Sequence, residues 1–214
     1  MANRKSESDW KDGFLFVANH PALDFLNTRP VLNGEKNELL PDFTALLRWL
    51  GAAGFLGARE ISDTGRAWRE SARARRAVEA MHRLREKLRK EILIYENGGG
   101  VSQSTVKELN RIMADRPMRT KIKASESGFS MESFCDPSEP EDLLAPLAHS
   151  AAQLLADFDR SRIRKCRQCA LHFLDTSKKG TRVWCSMQLC GNRAKVAAYA
   201  ARQRQRSSGG TGRP

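Results

Sequence analysis

The sequence predicts a mainly α-helical N-terminal domain with one small β-hairpin, followed by a compact four-cysteine module built from a hairpin and a C-terminal helix. Three observations predict it. Apolar residues recur every three or four positions through much of the first 160 residues, four of the five cysteines fall between positions 166 and 190, and the charge balance changes abruptly near residue 160. At 214 residues, with an ordinary apolar fraction of 40%, the chain is long enough for one or two cores.

The first domain is expected over residues 1–160, with the polar residues 1–10 disordered because they have too little apolar surface to bury. "PALDFLNT" (21–28) fits one or two helical turns, Pro21 taking the first helical position, where its missing N–H costs nothing. Residues 41–54 carry Phe43, Leu46, Leu47 and Leu50 at helical spacing, with Gly51 and Gly54 as stop signals. The clearest period runs from about Asp63 to Asn97 through Ala74, Val78, Met81, Leu84, Leu88, Ile92 and Tyr95, and it ends at Gly98-Gly99-Gly100. Its basic residues alternate with Glu70, Glu79, Glu86, Glu91 and Glu96, the composition of a solvated helix face. Ser102 is placed to cap a helix over Gln103–Met113. The segment 120–134 alternates around Ser127-Gly128 and predicts a β-hairpin. A last helix, capped by Ser138 and bent by Pro146, is expected to bury Leu143, Leu144, Leu147, Ala151, Leu154, Leu155 and Phe158.

The net charge is +12, and its distribution matters more than its size. From Ser161 onward there are 13 Lys and Arg against Asp175 alone, so the last quarter holds the entire excess and residues 1–160 sum to zero. A neutral body with a concentrated basic end is the pattern of an appendage that grips polyanions, nucleic acid first among them. No apolar run resembles a signal-peptide core or a membrane span, so a cytoplasmic, nucleoid-associated protein with no membrane partner is expected. In that compartment thiols stay reduced, and clustered cysteines are metal ligands or redox groups.

Cys166 and Cys169 form C-x2-C, Cys185 and Cys190 form C-x4-C, and 15 residues separate the pairs. A two-residue gap lets one tight turn point two thiolates at one ion, and a second pair completes the tetrahedral sulfur shell that zinc accepts. A redox motif would use one pair and leave the other unexplained. His172 is an alternative ligand, but with four cysteines available it is expected at the surface or in hairpin packing; Cys135 is expected to be a lone free thiol. "LHFLD" and "RVWC" are expected to be the two strands of a hairpin joined through residues 176–181, with the first cysteine pair in a knuckle before it and the second where the chain enters the last helix. This treble-clef-like finger, residues 161–206, precedes a disordered tail at 207–214. Zinc should supply most of its folding free energy, and metal loss should unfold this part alone.

Cys190-Gly191-Asn192-Arg193, preceded by "RVWCSMQL" and followed by "AKVAAYAARQR", resembles the CGNR zinc-finger family of bacterial proteins over roughly residues 160–206. Here Val183 interrupts the two basic residues that often precede Trp-Cys in that family. "PALDFLNT" ahead of a helical region resembles the ABATE-type domain that accompanies such fingers in proteins assigned as stress-induced transcriptional regulators. The resemblance implies a DNA-binding transcription factor.

The final helix points the same way. Lys195, Tyr199, Arg202 and Arg206 are spaced four, three and four apart and line one helical face. That face is expected to lie against DNA, with Lys178, Lys179 and Arg182 touching the backbone. Asn192 either caps the helix or reads adenine, and Arg193 lies over the thiolates or on a phosphate. Trp184 and Phe173 are expected to fill the small core. In the first domain, His20, Asp24, Asn27 and Thr28 interrupt an apolar segment and are candidates to line a pocket for a small-molecule effector, against helix capping and interhelix hydrogen bonds. No catalytic constellation stands out, and an enzyme is not expected. The rival readings are an RNA- or ribosome-associated zinc module and a protein adaptor. Because one finger is a weak specific reader, a homodimer or help from the first domain is expected.

Overall fold

The computed structural model describes residues 9–32, 35–125, 128–169 and 171–208, and for Leu32, Ser125 and residues 206–208 it describes the backbone alone. The disorder expected for 1–8 and 209–214, and the Ser127 half of the predicted turn, lie outside these residues. Asp9 and Trp10, by contrast, are structured, and the backbone of Ser207 and Ser208, expected in the disordered tail, is helical. The Asp9 carbonyl accepts the Phe16 N–H (2.8 Å), and Trp10 begins a hairpin of β1 (Trp10–Lys11) and β2 (Phe14–Leu15). Asp12 and Gly13 turn that hairpin with φ of 49° and 80°, the doubly left-handed geometry that Asp-Gly adopts at little cost. Arg48 clasps the Asp12 carboxylate with two hydrogen bonds of 2.9 and 2.7 Å.

α1 (Pro21–Leu26) begins at Pro21 as expected, and the His20 ring nitrogen Nδ1 accepts the Ala22 N–H at its start. A short pair, β3 (Val31–Leu32) and β4 (Glu35–Lys36), leads to α2 (Phe43–Ala52), capped by Asp42. α2 runs through Gly51 and stops at Gly54, whose φ of 83° is the left-handed one. Trp49 of α2 is fully buried, and its ring meets Phe16, Phe25 and Phe55 at the centre of the core.

The long predicted helix is two. α3 (Ala58–Trp68) and α4 (Ala72–Glu96) are separated at 69–71, where the Ser71 hydroxyl accepts the Ala74 N–H and caps α4. Apolar period alone carries no mark of a break that one capping serine decides. The predicted stripe from Ala74 to Ile92 is buried throughout, with Tyr95 half-buried at its end. α5 (Gln103–Asp115) is capped by Ser102 as expected. β5 (Arg119–Ser125) and β6 (Gly128–Phe134) form the predicted hairpin, Ile122 opposite Met131 and Ala124 opposite Phe129. The next helix is entered differently from the expectation: Glu139, not Ser138, caps a 3-10 turn (Pro140–Leu144) in a reciprocal box with Asp142, and α6 (Ala145–Asp157) continues from it. Pro146 sits in the first turn of α6, where it bends nothing.

β7 (Ile163–Lys165) and β8 (His172–Leu174) form the last hairpin, and α7 (Asn192–Ser208) ends the described chain. This hairpin is not the predicted one. "RVWC" is not a strand; β8 pairs instead with β7, and the first cysteine pair forms the knuckle inside the hairpin. The physical reason lies in Asp175 and Arg182. Asp175 accepts the N–H groups of Ser177 and Arg182 (both 2.9 Å), and Arg182 donates to the Trp184 carbonyl (2.7 Å), so residues 175–185 fold on themselves rather than into a ladder.

The finger does not have a core of its own. Ile163, Phe173 and Leu174 belong to the same apolar cluster as Leu23, Phe25 and Trp49. β8 lies against α1, where the Asn27 amide donates to the His172 carbonyl (2.8 Å) and accepts the His172 N–H (3.0 Å). Nearby the Leu174 N–H reaches the Ala18 carbonyl at 2.8 Å. The sequence-based expectation that metal loss unfolds the finger alone therefore does not fit a core shared across the junction.

Candidate metal centre and nucleic-acid interface

Cys166 and Cys169 are presented by the β7–β8 turn, where the Cys166 N–H bonds the Leu171 carbonyl (2.8 Å). Cys185 follows the Asp175–Trp184 loop, and Cys190 lies in a single π-helical turn, Met187–Gly191, that feeds α7. The four sulfurs lie within 4.8 Å of one another, with Cys169–Cys185 at 3.4 Å and Cys185–Cys190 at 3.6 Å. A zinc ion with bonds of about 2.3 Å needs tetrahedral S–S edges of about 3.8 Å. The donor set therefore fits, and all five cysteines are free thiols. Among themselves the thiols share charge unevenly. Hydrogen bonds from the Cys169 and Cys185 thiols hold Cys166 far below the usual range, while burial pushes Cys190 up to about 12. A divalent cation at their centre removes that conflict by holding all four as thiolates.

His172 is not a ligand of this group and is not at the surface. It is buried, its backbone bonded to Asn27 and its ring 3.4 Å from the Glu96 carboxylate of α4. Cys135 is a separate buried thiol that donates to the Asp142 carbonyl (3.5 Å), and burial pushes it up to about 12. Phe173 is fully buried and Trp184 half-buried against the same cluster, the core role expected of both.

Ser186 caps the turn into α7, its hydroxyl accepting the N–H groups of Gln188 (3.1 Å) and Leu189 (3.3 Å). Asn192 is already helical (φ −66°, ψ −41°) and exposed, so the capping role falls to Ser186 instead. α7 packs chiefly on the turn that precedes it. Arg193, Lys195, Tyr199 and Arg202 are exposed; Arg206 continues their face along the helical backbone, its side chain lying outside the described ones. Val196 is also 68% exposed, so α7 presents its surface to solvent instead of covering its own hairpin. Lys178 and Lys179 are exposed on the loop. Arg182 is not available in the same way. Its guanidinium lies 4.7 Å over the Phe173 ring and donates to the carbonyls of Trp184 and Cys185.

The four candidate pocket residues are likewise engaged. Asp24 accepts the N–H groups of Val17 (3.0 Å) and Ala18 (2.9 Å), and burial pushes its carboxyl up to about 7. His20 caps α1, Asn27 binds β8, and the Thr28 hydroxyl donates to Phe25 (2.7 Å) while accepting from the buried Arg85 (2.8 Å). Asn27 and Thr28 come together at the joint between α1, α4 and the finger, whereas His20 and Asp24 hold the chain that enters α1. The residues missed from sequence are those that build this joint and the loop: Asp175, and the buried Arg85 with its ion-pair partner Glu38. Asp175 was detectable as the single acid in the basic quarter. Hydrogen bonds from Ser177 and Arg182, acting against burial, hold it below the ordinary carboxylate range.

Residues 19–157 match the ABATE family, described as "Putative stress-induced transcription regulator". The chain belongs to that family. Residues 162–203 match the CGNR zinc finger, so an ABATE domain and a CGNR finger together make a regulatory, zinc-binding protein. Both matched families are of regulator and zinc-finger type rather than enzymes. No curated protein matches the chain. No helix among the described residues is long and apolar enough to cross a membrane.

Proposed function

We propose that this ABATE–CGNR chain is a DNA-binding transcriptional regulator whose zinc finger holds a basic helix against duplex DNA while the helical domain, residues 1–160, regulates it. The observation that carries this reading is α7: a helix entered from the four-sulfur cluster, exposed over most of residues 192–205, with Lys195, Tyr199 and Arg202 on one face. Lys178, Lys179 and Arg193 add exposed charge to the same module, and Arg182 holds the loop in shape instead of meeting phosphate. Two copies are expected to act together. The β5–β6 hairpin turns Ile122, Phe129 and Met131 outward (73, 82 and 77% exposed) on the face opposite Lys121, Lys123 and Glu132. An exposed apolar face on a two-stranded antiparallel hairpin can pair with its own copy about a two-fold axis, so a second copy of the hairpin is the partner proposed for it.

Tyr199, 59% exposed beside the cations, supports the RNA reading as the runner-up, because a ring there stacks on an unpaired base. The test uses the full zinc-loaded chain. Duplex DNA and single-stranded RNA compete for it, and duplex affinity is measured against salt. With about five phosphate contacts, log affinity should fall with log salt at a slope of about −4.5. A flat salt response, or retention unchanged after Lys195→Glu with Arg202→Glu, overturns the reading; preference for RNA replaces it with the runner-up.

A further inference from the structure

A cleft of about 280 Å³ lies where the end of α4 meets the finger, and no described residue of α7 lines it. Five cations line it: Arg160, Arg164, Lys165, Arg167 and Arg182, with Glu96 as the acid among the lining residues. Two of them, Arg160 and Arg164, are held in place by carbonyls, which orient a guanidinium without neutralising it, while Arg182 is spent on its own loop and adds its charge alone. Arg160 donates to the Gly98 carbonyl (2.9 Å), Arg164 to those of Ser161 and Arg182 (both 3.3 Å), and Arg182 to that of Trp184 (2.7 Å). Lys165 and Arg167 are exposed and have no side-chain partner among the described residues. Two carboxylates offset part of this charge: Asp175, 3.8 Å from Arg164, and Glu96, which faces inward to the His172 ring. The cleft keeps an excess of about three positive charges.

We propose that this cleft is a binding site for a phosphate-type oxyanion, supplied either by a free phosphorylated small molecule or by the phosphodiester backbone. Like charges confined this closely repel one another, and an oxyanion relieves the repulsion while accepting from several preset donors at once. The volume suits a phosphate or pyrophosphate group. The geometry also gives the site a consequence, since Arg160 and Asn97 belong to the helical side and Lys165 and Arg167 to the cysteine knuckle. An anion bridging them ties the finger to α4 across the junction that Glu96 and His172 already span. The backbone arm rests on the DNA reading above; the free-anion arm does not.

The experiment uses full-length, zinc-loaded protein and the double variant Lys165→Ala, Arg167→Ala, with Arg75→Ala, Arg76→Ala, exposed on α4 and outside both the cleft and the proposed DNA face, as a control of equal charge loss. Zinc content and circular dichroism confirm that the variants fold. Pyrophosphate is titrated at constant ionic strength, and duplex DNA affinity is measured against salt. Binding of pyrophosphate by wild type and control, weakened at least tenfold in the Lys165/Arg167 variant, establishes the free anion as ligand. No pyrophosphate binding, with a salt slope for DNA about 2 shallower in that variant and no protection of wild type by pyrophosphate, assigns the site to the backbone. If wild type fails to bind DNA but binds pyrophosphate through these residues, the DNA reading falls and this one stands. If neither response depends on Lys165 and Arg167, or if pyrophosphate binds control and variant alike, the cleft is not an oxyanion site.

Discussion

Replacing Asn27 with alanine should undo the joint between α1 and the finger. The Asn27 side chain is 2% exposed and plays the part of a neighbouring strand, donating to the His172 carbonyl at 2.8 Å and accepting the His172 N–H at 3.0 Å. Alanine leaves both backbone groups of β8 buried without partners. Each orphaned group costs about 1–3 kcal/mol, so the loss should be about 2–6 kcal/mol, toward the lower end where water enters the space left by the amide. Against a typical total of roughly 5–15 kcal/mol this is a large fraction. Urea unfolding of the zinc-loaded protein measures it directly, and an unchanged slope with denaturant would show that the same surface is exposed on unfolding. A loss below about 0.5 kcal/mol would refute the argument, because it would mean that the finger is not held to α1 through this pair.

Chelating zinc should expose amides of α1 to hydrogen exchange as well as those of the finger, because Phe173 and Leu174 share one core with Leu23 and Phe25; protection of α1 unchanged by chelator would contradict the shared core. Cys166→Ser should reduce bound zinc, one ion per chain in the wild type, by weakening the sulfur shell, as read by elemental analysis. Asp24 gives a pH signature. Its native pKa of about 7 lies above the 3.8 of an unperturbed aspartate, so the native state binds the extra proton between these values. Stability from this group is fully present below about pH 4 and falls as pH rises to about 7, by at most about 1.4 kcal/mol per unit. Asp24→Asn should flatten that part of the stability profile, and an unaltered profile would remove Asp24 as its source. Phe129→Ser should convert dimer to monomer in sedimentation without lowering the melting temperature by more than a degree or two; a wild type that is monomeric at high concentration would leave the hairpin without its proposed partner.

The metal centre was the most legible feature, because chelation imposes its constraint locally: two short cysteine spacings suffice to place thiolates on two turns, whatever the rest of the chain does. The stripes of α2 and α4 were legible for a similar reason, since burial of one helix face leaves a period in the chain. Signals that depend on one residue were less reliable. Ser71 breaks the long helix, Glu139 displaces Ser138 as a cap, and Ser186 displaces Asn192, each by a single hydrogen-bond choice that composition does not rank. The Asp12-Gly13 turn was in plain view between Trp10-Lys11 and Phe14-Leu15, and it lay just past residues 1–10, read as disordered, in a stretch to which no element was assigned.

The sequence by itself determined the sulfur shell, the apolar helix faces and the concentration of positive charge in the last quarter, because each is a matter of residue type and near spacing. Tertiary structure decided where polar groups spend their bonds. It joined Asn27 to His172 across 145 positions, turned Arg182 inward onto Phe173, paired β8 with β7, and gathered Arg160, Arg164, Lys165 and Arg167 around one cleft. Buried donors and acceptors must be satisfied by whatever the folded chain brings near them, and that neighbourhood is not encoded in any short window of sequence.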